Sequence, residues 1–109
     1  MKESPIFTRT YDLLLWLIPL TIKFPRSQRF VLAEAVQHTA LTLQEQLIDA
    51  TGDETPRLAL RQADITLTKL RTYLRLCKDL KLVSFDQYEY ASVIVNEIGR
   101  LLGGWMKSV

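Results

Sequence analysis

The chain has 109 residues, of which 48% are hydrophobic and 24% charged, and a formal net charge of +2. That length suits one domain spanning 1–109 with a real apolar core. It leaves no room for a membrane span, because the longest apolar run, Leu13 to Leu20, contains Pro19 and a span needs about 20 residues. Cys77 is the only cysteine, so no internal disulfide can form. Lys2 is followed at once by Glu3 and no small-residue cleavage site follows the apolar run, so no leader peptide is expected and the expected location is the cytoplasm.

The first helix is expected over about 5–23, with Ser4 as N-cap and Pro5 at the first helical position. Pro19 should kink its last turn or end it early. After the break Phe24-Pro25-Arg26-Ser27, a second helix over about 28–50 takes Ser27 as cap. It presents Leu32, Val36, Thr39, Leu43 and Leu47 as its seam, with Ala33 and Ala40 alongside. Gly52 stands where a left-handed C-cap is wanted. A third helix over about 56–82 begins with Thr55 as cap and Pro56, and its seam is Leu60, Ala63, Leu67, Leu70, Leu74 and Cys77. Ser84 with Gln87 reads as a capping box for a fourth helix over about 85–107, whose seam is Ala91, Ile94, Ile98, Leu101 and Trp105. No segment has the two-residue alternation of a strand. The fold class is therefore all-α, an up-down-up-down four-helix bundle.

The helices carry more apolar surface than one such bundle needs. Leu13 to Ile18 is apolar all round, Leu58, Ile65 and Leu76 form a second stripe on the third helix, and Val95, Leu102 and Met106 flank the seam of the fourth. Burial between copies is the natural outlet, so a homo-oligomer is expected.

Charge is unevenly spread. Glu34, Glu45, Asp49, Asp53 and Glu54 lie in a segment without Lys or Arg, net −5. From Arg57 to Lys81, seven bases stand against Asp64 and Asp79, net +5. Opposite segments of this kind attract within a chain or between copies. Within the basic segment Arg57, Arg61, Arg71, Arg75 and Lys78 share one face of the third helix, with only Asp64 and Thr68 on the remaining rungs. Solvation is the ordinary reading of such a face. Arginine's predominance over lysine suits phosphate forks, and few acids neutralise the strip. Lys23, Arg26 and Arg29 offer further bases around the first break.

Catalysis finds little support. His38 is the only histidine and reads as a surface or interface residue; Cys77 reads as a small core residue. Neither forms part of a zinc-ligand cluster, so no metal and no cofactor is expected. Trp16 and Trp105 sit among leucines and read as packing residues rather than base-stacking ones. Gly103-Gly104 reads as a place of close helix packing or fraying.

The stretch Val93-Ile94-Val95-Asn96-Glu97-Ile98-Gly99-Arg100-Leu101-Leu102-Gly103-Gly104-Trp105 resembles the last helix of the accessory variability determinant (Avd) proteins of diversity-generating retroelements. Their pattern there is close to Glu-x-Gly-Arg-x-Leu-Gly-x-Trp. Leu70-Arg71-Thr72-Tyr73-Leu74-Arg75 is similar to their third helix, and Tyr11-Asp12 with the Pro19 to Phe24-Pro25-Arg26 spacing to their first helix and turn. The wider group includes the 23S rRNA intervening-sequence proteins.

The resemblance implies a ring-like homopentamer of four-helix bundles that is not an enzyme. It implies that the chain binds the retroelement's reverse transcriptase and nucleic acid, supporting mutagenic copying of a template RNA into cDNA. Arg71 and Arg75 match the family's basic pair and Arg26 its first-turn base, whereas the strongly basic C-terminal tail of some members is lacking: only Lys107 follows Trp105. Arg57, Arg61, Lys78 and Arg29 join the candidate nucleic-acid and partner-binding residues by spacing or position alone. A purely structural ring, with the strip meeting the acidic helix of the next subunit, is the alternative.

Overall fold

The computed structural model describes residues 4–109. Lys2 and Glu3, on which the leader expectation rests, lie outside the described residues. Four helical segments follow one another: α1 (Pro5–Ile22), a composite α2 (Arg26–Gln28, Arg29–Ala33 and Glu34–Thr51), α3 (Arg57–Asp79) and α4 (Phe85–Lys107). Each packs on two neighbours, in the cyclic order α1, α2, α3, α4 and back to α1. The bundle measures 43 × 23 × 23 Å. No helix among the described residues is long and apolar enough to cross a membrane.

The expected seams form the core. Leu32, Val36, Leu43 and Leu47 of α2, every seam residue of α3 from Leu60 to Cys77, and Ala91, Ile94 and Ile98 of α4 are buried. Threonines enter this core by satisfying themselves: the hydroxyls of Thr10 and Thr21 donate to the carbonyls of Ile6 and Leu17 at 2.7 and 2.9 Å. Val95 and Leu102 are buried too, so the apolar sector of α4 is wider than its expected seam, and the surplus there vanishes within the chain. Leu15, Leu58, Ile65 and Leu76 stay exposed.

The helix ends depart from expectation in several places. Pro19 does not end α1, which continues to Ile22. Ser27 does not cap α2, because helical geometry begins at Arg26 behind the extended Pro25, and Arg29–Ala33 then makes a π-helical turn. Gly52 has φ −88°, so α2 closes without a left-handed residue. Neither Thr55 nor Ser4 makes a side-chain cap, and Asp53 Oδ1 instead accepts the Thr55 N–H at 2.9 Å.

The left-handed residue is Lys81, φ 62°. The Leu82 N–H reaches Cys77 O at 2.8 Å and the Lys81 N–H reaches Lys78 O at 2.9 Å, a Schellman closure. It stops α3 at Asp79 rather than Leu82, because Leu82 turns back onto the core. The capping box forms as expected: Ser84 Oγ accepts from the Gln87 N–H at 3.0 Å, and Gln87 Oε1 from the Ser84 N–H at 2.8 Å.

Candidate functional site

Four-three spacing sets Arg57, Arg61, Arg71, Arg75 and Lys78 along one face of α3, and the fold turns that face toward α4. At the lower end an Arg57 N–H donates to the Val109 main-chain oxygen at 2.9 Å, and Arg57 and Arg61 share a surface cleft with Met106 and Lys107. At mid-height Arg71 lies against Gly99: a Cβ at that glycine would stand 2.5 Å from Arg71 Nη2. At the upper end Lys78 Nζ sits 4.8 Å from the centre of the Tyr88 ring. The strip is thus one wall of the α3–α4 groove.

Its charges are not equally free. Asp79 lies 3.8 Å from Arg75 Nε and 3.6 Å from Lys78 Nζ, which corrects the expectation that the strip escapes neutralisation along its own helix. Both pairs are solvent-screened and contribute little. Among the described residues Arg71 and Arg61 have no ion-pair partner. Arg26 and Arg29 are exposed at the start of α2, at the bundle end where antiparallel α3 finishes. They share an end with Arg75 and Lys78 and stand a helix length from Arg57 and Arg61.

The α4 wall supplies residues that sequence reasoning passed over. Ser92 and Asn96 line a cleft of about 170 Å³ with Arg71, Leu74, Tyr88 and Val95. Ser92, Asn96 and Gly99 form their own four-three ladder, a signal visible in the sequence. What the sequence lacked was the identity of the helix facing that ladder.

The acids of α2 and of the turn after it meet none of these bases: no ion pair among the described residues joins Glu34, Glu45, Asp49, Asp53 or Glu54 to α3. The other expected functional candidates are occupied elsewhere. Trp16 packs on Tyr90 with ring centres 4.9 Å apart, and Trp105 meets Phe7 edge-on at 6.2 Å, so both tryptophans join α1 to α4. His38 is exposed in a shallow depression with Glu34, Phe30 and Val31. Cys77 is buried, and desolvation pushes its thiol up to about 11, away from a reactive thiolate at neutral pH. Among the described residues no three His, Cys, Asp or Glu side chains are placed to hold a metal. Gly103 and Gly104 lie inside α4 with open space beside them, so among the described residues neither serves a close helix contact within the chain.

The family model described as bAvd-like matches residues 6–109. The fold is similar to that of a protein of unknown function from the S23 ribosomal protein family of Bacteroides thetaiotaomicron. The TM-score is 0.85 at 16% identity, over 94% of this chain and 95% of that one. No curated protein matches the chain.

Proposed function

The chain belongs to the bAvd-like family, non-enzymatic accessory proteins of diversity-generating retroelements, and from that premise we propose that it binds the element's reverse transcriptase and its template RNA or cDNA. In this reading it works in the cytoplasm as a ring-like homopentamer, without cofactor or metal. Arg71, Arg75, Arg57, Arg61 and Lys78 form the contact surface, with Arg26 and Arg29 extending it at the upper end. The single observation that carries the reading is the placement of this cationic row on a groove wall, with Arg71 unpaired. Exposed Leu58, Ile65 and Leu76 on the same helix support assembly, and repetition around a ring multiplies a modest strip into a strong surface.

The test is Arg71→Ala with Arg75→Ala. The fold should persist, because both side chains are exposed, and nucleic-acid affinity should fall about tenfold or more at low salt. The slope of log K against log salt should shrink by about 0.9 for each lost duplex phosphate contact. Co-purification with the reverse transcriptase should weaken in parallel. Unchanged affinity and slope would sink the reading.

One observation favours a second reading. Among the described residues Glu34, Glu45 and Asp49 of α2 have no ion-pair partner, and neither have Arg61 and Arg71 of α3, so the two faces suit each other across a subunit boundary. A ring closed by that contact dissociates as salt rises and binds no nucleic acid at any salt.

A further inference from the structure

The cleft beside Arg71 has the composition of an anion site. It opens between α3 and α4, encloses about 170 Å³, and no carboxylate lines it. The polar residues lining it are Arg71 on one wall and Tyr88, Ser92 and Asn96 on the other. Ser92 and Asn96 are one helical turn apart and face the same way. Beside Tyr88 rests the Lys78 ammonium, whose charge is shared with Asp79 at 3.6 Å, so among the described residues Arg71 is the one unpaired cation at the cleft.

Gly99 makes this arrangement possible. The Arg71 guanidinium lies over the α4 backbone where a Cβ would meet Nη2 at 2.5 Å and Cζ at 3.7 Å. Any larger residue there pushes the guanidinium out of its place. The bare backbone lets the planar fork sit against the helix.

We propose that the cleft is a subsite for one phosphate group, held by Arg71, Ser92 and Asn96, with Gly99 as the positioning residue that seats the guanidinium. The donors stand on two walls of one cleft. A planar carboxylate is satisfied by the guanidinium fork alone, whereas a tetrahedral oxyanion has further oxygens for the hydroxyl and the amide. The natural source of that phosphate is a nucleic-acid backbone; this identification rests on the function proposed above, while the subsite itself does not.

The experiment uses the full chain with ¹⁵N-labelled arginine, following the Nε–Hε resonances during titration at constant ionic strength. Inorganic phosphate is the first probe, acetate the second and an oligothymidylate the third. Phosphate should shift the Arg71 resonance saturably and more than those of Arg57 or Arg61, and acetate should not. Ser92→Ala with Asn96→Ala should weaken the phosphate response about tenfold. Gly99→Ala should do the same while the thermal unfolding midpoint holds or rises, which separates lost seating from lost folding.

A phosphate response at Arg71 no larger than at the other arginines overturns the subsite. So does an equal response to acetate, which instead fits a carboxylate of a protein partner, or an unchanged response in the double variant. If any of these occurs while the oligothymidylate still binds through Arg71 and Arg75, the subsite fails and the proposed function stands. If phosphate saturates the site but the oligothymidylate does not bind, the subsite stands and the nucleic-acid function fails.

Discussion

The two flanks of α4 are built on opposite principles. Toward α1 the seam is closed: Phe7 meets Trp105, Trp16 meets Tyr90, and between them Arg9 Nε donates to Glu97 Oε2 at 2.8 Å while Arg9 Nη1 reaches Asp12 at 3.0 Å. Those polar groups find their partners inside the chain, and hydrogen bonding to Glu97 raises the Arg9 pKa further. Toward α3 the wall is open: Arg71 has no counter-charge, and Ser92 and Asn96 face a cleft. A helix satisfied on one side and unsatisfied on the other separates the work of holding the bundle from the work of meeting a partner.

Four substitutions or conditions break or sharpen this contrast. Removing an aromatic from the closed flank has the largest expected effect: Trp105→Ala should cost about 3 kcal/mol, the low end for such truncations because the ring is only partly buried. Urea unfolding at fixed pH measures it. The same measurement on nucleic-acid affinity, normalised to folded protein, should show no change.

The second acts where the flanks meet at the upper end, in the small apolar cavity that Cys77 lines with Trp16, Leu74, Tyr88 and Ala91. The folded-state thiol is pushed up to about 11, above its unfolded value, so the folded state holds the proton longer. Stability from this group is intact below the unfolded pKa of about 8.5 and is lost as pH rises through the folded one, by about 1–3 kcal/mol. The urea midpoint compared between pH 8 and pH 11 should drop more in the native chain than in Cys77→Ala.

On the open flank the sign reverses. Gly99→Ala should raise stability by about 0.5–1 kcal/mol, since alanine favours the helix and only the far end of a flexible arginine must move. A fall in the unfolding midpoint would show that the guanidinium is anchored more firmly than an open wall implies. The smallest effect returns to the closed flank. A double-mutant cycle on Arg9→Met and Glu97→Gln should give a coupling of about 0.5 kcal/mol, as befits a partly exposed pair.

Much of this was legible beforehand. The four helices, the capping box at Ser84 and Gln87 and the buried seam from Leu60 to Cys77 all follow from periodicity and local chemistry. Helix ends were less so. Gly52 looked like the left-handed cap, yet that conformation fell to Lys81, because burying Leu82 against the core outweighed the cost of a non-glycine residue at positive φ. The π-helical turn at Arg29–Ala33 had no signal that local propensity supplies. Val95 and Leu102 looked surplus because a narrow seam was assumed, whereas α4 packs against both α1 and α3.

By itself the sequence determined the all-α class, the helix order, the buried seams and the alignment of five cations on one face. Those properties arise from hydrogen-bonding geometry and side-chain spacing within single helices, which repeat wherever a helix forms. Only the tertiary structure decided what the cations face. Arg71 is seated on Gly99 and Lys78 covers Tyr88, because these relations depend on how α3 and α4 settle against each other. That settling is set by the packing of both helices on the shared core, so no spacing within either helix encodes it alone.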